Sequence, residues 1–329
     1  MDTITSTPTA GTPAGKTSPW QKLPVIFISA LACCALWGSA YPCIKIGYAL
    51  FEIPADSPAS QLLFAGLRFF LAGILTLIMG GFISRKLLLP KKSSWKGISL
   101  LALTQTVVQY LFFYLGLAHT SGVKSSLVGA LTTFFAIFIS ALIFRMEKLT
   151  PRKLLGCVLG FAGIIIINLS GVAGMTFDFH LNGEGFILLS NLSYAFSSNF
   201  ARIFSQKDDP VMLSGCQFVL GGLVLILVGV LTGGHLAMTG IAGVGLILYM
   251  AFISAAAYSL WGILLKYNSV STVTVFGFMT PVFGVLLSAL LLGERGEAFS
   301  LKSLVALALV CLGILIVNTT IGTRKRQNH

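Results

Sequence analysis

The chain of 329 residues is 56% hydrophobic and only 10% charged, whereas soluble domains average about 45–50% and about 25%. These proportions exclude an ordinary soluble domain and predict an all-α integral membrane protein. The formal net charge of +12 would suit a nucleic-acid partner, but the placement of Lys and Arg along the chain explains it without one.

The chain begins with a polar segment and continues as a series of apolar ones. Residues 1–20, rich in Thr, Pro, Ala and Gly, predict a disordered cytoplasmic tail. An apolar helix needs about 20 residues to cross about 30 Å of hydrocarbon. Windows of that length predict ten transmembrane helices, near residues 24–48, 60–82, 97–118, 124–144, 153–169, 184–204, 211–232, 240–265, 271–292 and 301–319.

The positive charges lie mostly on one side of this ten-helix path. With the N-terminus inside, seventeen Lys and Arg residues fall on the inner side, and three, Lys124, Arg295 and Lys302, fall on the outer side. Cytoplasmic loops of membrane proteins carry such an excess. We therefore expect a multi-pass protein of the plasma (inner) membrane with both termini in the cytoplasm. The lipid bilayer is an expected partner, and a nucleic acid is not.

The second half of the chain repeats the first. At a constant offset of 148, residues 97–142 match residues 245–290 at 11 of 46 positions, among them Tyr110 and Tyr258. Five predicted helices separate each residue from its equivalent, and because five is odd, the second copy must be inverted in the membrane. Inverted repeats are typical of secondary transporters. The predicted units are a first five-helix repeat at 21–170, a second at 184–320 and a basic cytoplasmic tail at 321–329.

Three motifs resemble those of one family. The segments "LWGSAYPCIKIG" in the first predicted helix, "LRFFLAG" in the second and "PVFGVLLSALLLGE" in the ninth are similar to the EamA-type branch of the drug/metabolite transporter (DMT) superfamily. The resemblance covers the chain after residue 20. It implies ten helices in two inverted EamA-type repeats and the export or exchange of small metabolites, amino acids among them. The chain departs from it at Thr133, where the second repeat has Pro281, and at "RME", which replaces the "GE" of the second repeat.

Polar and aromatic side chains inside the predicted spans form the candidate binding site. The two embedded charges, Lys45 and Arg68, indicate function, because charges at this depth cost about 2.5–3.5 kcal/mol on insertion scales. Aromatic and amide stripes on the first, third and eighth helices would surround a cavity and orient a ligand. Pro281 predicts a kink that suits a gating helix. The candidate substrate-binding residues are Trp37, Tyr41, Lys45, Arg68, Gln105, Gln109, Tyr110, Tyr258 and Trp261.

Structural roles are the alternatives for these charged and amide residues. Lys45 can extend its ammonium group to the outer lipid headgroups. Arg68 can cap helix carbonyls or pair with Glu52 or Asp56. The two glutamines of the third helix can form hydrogen bonds between helices without touching a substrate.

Missing groups limit the function further. No Asp or Glu lies in the middle of a predicted span, and no embedded nucleophile with a base, metal-ligand spacing or nucleotide-binding motif occurs. We therefore predict no catalytic residue, no metal, no cofactor and no enzyme activity. The favoured function is a secondary carrier that exports or exchanges small metabolites by alternating access around a central cavity, with amino acids as the leading class.

Two other functions and the oligomeric state stay open. An exchanger of phosphorylated or other anionic metabolites is the alternative, favoured if both embedded cations face the cavity. An integral-membrane lipid-modifying enzyme ranks below it, because the chain lacks a titratable cluster at headgroup level. Gly156 and Gly160 form a GxxxG pattern on the fifth helix, so both a monomer and a homodimer are compatible with the sequence.

Overall fold

The computed structural model describes residues 18–146, 148–170, 176–177, 179–237 and 240–318. The predicted tail residues 1–17 and 321–329 lie outside this part of the chain. The helices of the first half are α1 (Leu23–Leu50), α2 (Pro58–Ser84), α3 (Lys92–Ala118), α4 (Gly122–Ile143) and α5 (Pro151–Asn168). Those of the second half are α6 (Phe186–Phe204), α7 (Pro210–Leu231), α8 (Ile241–Tyr267), α9 (Thr272–Leu291) and α10 (Leu301–Asn318).

Within the described residues the predicted all-helical membrane architecture is confirmed. Seven helices, α1 to α4 and α7 to α9, are long and apolar enough to cross a bilayer. The exception to the helical pattern is a pair of antiparallel strands, Leu169–Ser170 and Thr176–Phe177. This pair lies between the two halves of the chain.

Helix α6 is less apolar than the others, and its polar residues face other helices. It packs against α3 and α4, so these side chains avoid contact with lipid. Its buried polar residues are Ser190, Asn191, Ser193, Ser197, Ser198 and Asn199. The position of α6 inside the bundle places a polar wall beside the site described below.

Proline and a capping carboxylate define where helices begin. Helices α2 and α7 start at Pro58 and Pro210, and proline suits this position because its missing N–H would have no partner in the first turn. The Asp209 carboxylate accepts hydrogen bonds from the backbone N–H groups of Val211 at 2.9 Å and Met212 at 3.0 Å. Local sequence therefore fixes the start of α7, as it does for many helices with an aspartate cap.

Two glycines at equivalent positions of the repeat join the halves. Helix α2 lies along α7, and Gly73 of "GLRFFLAG" corresponds to Gly222 of "GCQFVLGG". A Cβ atom on Gly222 would lie 2.4 Å from the backbone nitrogen of Phe70, and one on Gly73 would lie 2.6 Å from that of Val219. Only glycine permits such backbone contact without a shift of the helices.

The GxxxG pattern of α5 is used within the chain. Helix α5 lies along α10. A Cβ atom on Gly313 of α10 would lie 2.4 Å from the carbonyl oxygen of Gly156 and 3.1 Å from the nitrogen of Gly160. Close packing of these two helices therefore accounts for the pattern.

Candidate functional site

A cavity of about 110 Å³ lies between helices of both halves. Helices α1, α2, α3 and α4 of the first half and α6, α8 and α9 of the second half contribute to its wall. Most of the large lining side chains are aromatic. They are Trp37, Tyr41, Tyr110, Phe113, Tyr194, Tyr258 and Trp261.

Trp37 lies at the centre of an aromatic cluster on one wall of the cavity. Its ring centroid is 4.9 Å from that of Trp261, 5.2 Å from that of Tyr258 and 6.1 Å from that of Tyr194. All three contacts are edge to face, the arrangement that aromatic quadrupoles favour. Rings from α1, α6 and α8 therefore hold one another in fixed positions.

Two tyrosines at equivalent repeat positions meet at the cavity. The hydroxyl oxygens of Tyr110 and Tyr258 are 2.6 Å apart and share a hydrogen bond. The side-chain amide of Gln109 donates a second hydrogen bond to the Tyr258 hydroxyl at 3.3 Å. Helix α3 thus contacts its repeat equivalent α8 directly.

Arg68 brings a positive charge to the cavity. Its side chain is 1% exposed and lines the cavity wall. The guanidinium donates hydrogen bonds to the carbonyl oxygen of Met250 at 3.1 Å and to the hydroxyls of Tyr114 and Ser254, each at 3.0 Å. It also lies 4.9 Å from the Phe69 ring centroid, a cation–π contact.

No carboxylate of the described residues neutralises this charge. The predicted alternative partners of Arg68, Glu52 and Asp56, form no ion pair with it. The alternative of carbonyl capping is realised in part, by the bond to Met250. Because a buried charge is costly when unpaired, the cavity is electrostatically suited to a negative group.

Two tryptophans and one glutamine of the cavity wall carry polar atoms without a partner in the described part of the chain. They are Nε1 of Trp37, Nε1 of Trp261 and Oε1 of Gln109, and the hydroxyl of Tyr194 on the same wall is a fourth. A buried polar atom left without a hydrogen bond costs about 1–3 kcal/mol. A ligand or water that reached these atoms would recover that free energy.

The structure places seven of the predicted binding residues on the cavity wall and two elsewhere. Gln105 is buried one turn away from Gln109 and accepts a hydrogen bond from the amide of Gln217 at 3.3 Å. Lys45 is partly exposed and lies outside the cavity wall. The carboxylates of Glu294 and Glu297 attract its ammonium group. The seven on the wall are Trp37, Tyr41, Arg68, Gln109, Tyr110, Tyr258 and Trp261.

The predicted gating residue lies next to the wall. Pro281 is buried in α9, and its neighbour Thr280 lines the cavity. Sequence reasoning missed Thr280 and also Asn191 of α6, which lines the cavity and donates a hydrogen bond to the Val128 carbonyl at 2.8 Å. Asn191 precedes Tyr194 by three positions, so the same polar stripe of α6 could have identified it.

Acidic residues cap the end of the bundle where α4 begins. The Glu294 carboxylate accepts hydrogen bonds from the backbone N–H groups of Gly122 at 3.1 Å and Val123 at 3.0 Å. Glu297 accepts a hydrogen bond from the Ser121 hydroxyl at 2.8 Å. Acidic groups are favourable at a helix N-terminus, and here they tie α4 of the first half to the segment after α9 of the second.

The carboxyl groups of Glu297 and Glu184 are both at least partly shielded from solvent at this end of the bundle. Burial holds the pKa of the Glu297 carboxyl above its usual value, while the hydrogen bond from Ser121 acts in the opposite direction. Glu184, 1% exposed, accepts a hydrogen bond from the Thr120 hydroxyl at 2.6 Å and lies 3.6 Å from the Lys124 ammonium group. Among the described residues, no three His, Cys, Asp or Glu side chains are grouped to hold a metal ion.

Comparison with known proteins gives a consistent result over most of the chain. A sequence model of the EamA-like transporter family matches the chain twice, at residues 24–169 and 181–319. An uncharacterized transporter of Archaeoglobus fulgidus is 26% identical over 288 residues, which are 85% of this chain and 94% of the relative. The uncharacterized inner membrane transporter YedA of Escherichia coli (strain K12) is 28% identical over 307 residues, 90% of this chain and 91% of the relative.

A similar fold is found among solved crystal structures. One of them superposes with a TM-score of 0.66 at 17% sequence identity, and the match covers 94% of this chain and 100% of that chain. At this identity the similarity concerns the fold alone.

Proposed function

Because the chain belongs to the EamA-like transporter family, we propose that it is a secondary carrier that moves small metabolites by alternating access around the cavity between its halves. The family match confirms the resemblance of the sequence motifs. Relatives named as transporters favour a membrane transporter over an enzyme. The observation that carries the proposal is a cavity walled by aromatic, amide and guanidinium groups contributed by both halves.

We propose further that the chain crosses the membrane ten times as two inverted EamA-type repeats, 21–170 and 184–320, with both termini in the cytoplasm. The double match of the family model supports two repeats. The tyrosine pair supports them as well, because Tyr110 and Tyr258 are equivalent positions of the repeat. Inverted halves can exchange conformations and so open the same cavity to either side.

The leading substrate class is amino acids. The cavity of about 110 Å³ suits a compact molecule, since it is smaller than the cavity of about 150 Å³ that binds benzene. Arg68 offers a cation for a carboxylate, and the aromatic faces of Trp37 and Trp261 suit an ammonium group. An amino acid carries both groups on one small skeleton.

A phosphorylated or strongly anionic substrate is the second candidate. It was favoured on condition that both embedded cations face the cavity. Lys45 is not among the residues of the cavity wall, whereas Arg68 is. One cation matches one negative charge, so this candidate ranks below the amino acids.

Counterflow in proteoliposomes tests the carrier function. Vesicles that contain the purified protein are loaded with one unlabelled neutral amino acid, and entry of the labelled compound is followed for a panel of such amino acids. A carrier is expected to show faster entry when unlabelled substrate is present on the opposite side. Equal entry with and without internal substrate would indicate a channel, and a chemically altered product would indicate an enzyme; either outcome would overturn the proposal.

A further inference from the structure

The internal repeat provides a comparison for the role of Arg68. Its equivalent in the second half is Gln217, since "GLRFFLAG" aligns with "GCQFVLGG". Ser254 of α8 is likewise the equivalent of Thr106 of α3, at the offset of 148. The fold therefore contains two copies of one helix contact, one with a cation and one with a neutral amide.

Both copies have a hydrogen bond between these equivalent positions, with the donor and the acceptor exchanged. In the first, Nη2 of Arg68 donates to the Ser254 hydroxyl at 3.0 Å. In the second, the Thr106 hydroxyl donates to Oε1 of Gln217 at 2.6 Å. Gln217 is fully buried and also donates to Gln105 at 3.3 Å. A neutral glutamine is thus sufficient to join these helices.

The charge of Arg68 is consequently more than the helix contact requires. Three of its N–H groups have acceptors, which are Met250, Tyr114 and Ser254, and the described residues offer no acceptor to the other two. The rings of Phe69 and Tyr110, with centroids 4.9 Å and 6.0 Å from the guanidinium carbon, stabilise the cation but do not neutralise it. The charge is retained at a cost inside the membrane, at the wall of a cavity.

We propose that Arg68 is the residue that selects ligands with a single carboxylate, and this inference rests on the proposed carrier function. The two remaining N–H groups of a guanidinium can be shared with carboxylate oxygens. A phosphate monoester, with close to two negative charges, would call for a second cation. Among the described residues of the cavity wall Arg68 is the one cation. The carboxylate therefore binds at the α2 side of the cavity, and the aromatic cluster around Trp37 contacts the rest of the ligand.

The test compares Arg68→Gln with the wild-type protein and with Gln217→Ala. Binding of one amino acid and of its amide, which keeps the shape but lacks the negative charge, is followed by tryptophan fluorescence of purified protein. Wild type is expected to prefer the amino acid, and Arg68→Gln is expected to reduce that preference roughly 10- to 100-fold. Gln217→Ala removes the equivalent hydrogen bonds and is expected to keep the wild-type preference.

Arg68→Lys keeps the test decisive if Arg68→Gln does not fold. It preserves the charge and loses the fork of N–H donors, so a preference for the carboxylate should persist. An unchanged preference in Arg68→Gln, or none in a folded Arg68→Lys protein, would overturn the role of Arg68 while leaving the carrier function intact. Absence of counterflow in the wild type would instead count against the carrier. Tighter binding of a phosphate monoester than of the amino acid by the wild type would overturn the carboxylate assignment.

Discussion

Tyr110 and Tyr258, which occupy equivalent positions of the repeat, share a hydrogen bond of 2.6 Å at the wall of the cavity. If the two halves exchanged conformations, Tyr110 would take the place of Tyr258 and Tyr258 that of Tyr110, so the two would still be partners. A contact between equivalent residues can therefore persist through a symmetric rearrangement while the helices around it move. This property suits a position in the middle of a carrier.

Tyr258→Phe removes this hydrogen bond and that from Gln109 but keeps the aromatic wall. We expect substrate affinity to fall by about two- to twelvefold, since a neutral hydrogen bond contributes about 0.5–1.5 kcal/mol. Isothermal titration of the purified variant would measure the change. Tyr110→Phe should have a smaller effect. The double variant should lose no more binding free energy than the two single variants lose together. A Tyr258→Phe protein with unchanged affinity would show that this hydroxyl does not influence the site.

Much of the cavity could be predicted because polar residues are rare in apolar helices. The spacing of Trp37 and Tyr41, and of Tyr258 and Trp261, identified the helix faces that line it. For Gln105 the alternative of a hydrogen bond between helices is realised, but its partner Gln217 could not be predicted, because Gln217 lies on a helix that no local pattern connects with α3.

The surroundings of Lys45 also include residues far away in sequence. An embedded cation on the same face as Trp37 and Tyr41 predicted a place in the cavity. The acids that attract its ammonium group, Glu294 and Glu297, belong to the other half of the chain. The sequence showed that these acids follow the ninth helix, but only the fold shows that they lie near α1.

Gly222→Ala should destabilise the contact between α2 and α7. The added Cβ atom would lie 2.4 Å from the backbone nitrogen of Phe70, and relief of such overlap costs about 1–3 kcal/mol. A fluorescence-detected thermal unfolding scan in detergent should therefore show a lower midpoint. Gly245→Ala is the matched control, because a Cβ atom at Gly245 meets nothing within 4 Å and alanine favours the helix. Equal midpoints for the two variants would contradict the close packing described for Gly222.

Glu297 should make stability depend on pH. Burial raises its pKa in the folded protein, so the folded state binds more protons than the unfolded state between the ordinary and the raised pKa. The stabilisation is complete below the ordinary value and is lost as pH rises through the raised one. Thermal unfolding across that window should show a falling midpoint, and Glu297→Gln should reduce the slope. An identical slope in Glu297→Gln would assign the effect to another group.

Topology can be tested with single cysteines in a protein from which the native cysteines have been removed. Leu149 and Gly296 are both exposed, and they follow α4 and α9, which are equivalent helices of the two halves. Leu149→Cys should react with an impermeant maleimide from the cytoplasmic side, and Gly296→Cys should react from the outside. Reaction of both from the same side would contradict the inverted arrangement.

The most direct test of the carrier concerns access to the cavity itself. Thr132 of α4 lines the cavity and is partly buried, so Thr132→Cys in the cysteine-free protein reports which side reaches the site. We predict slow labelling by an impermeant maleimide from either side of the membrane, in right-side-out and in inverted vesicles. The amino acid that shows counterflow should slow labelling in both orientations. Labelling from one side alone, or labelling that substrate does not affect, would contradict a single cavity that opens alternately to the two sides.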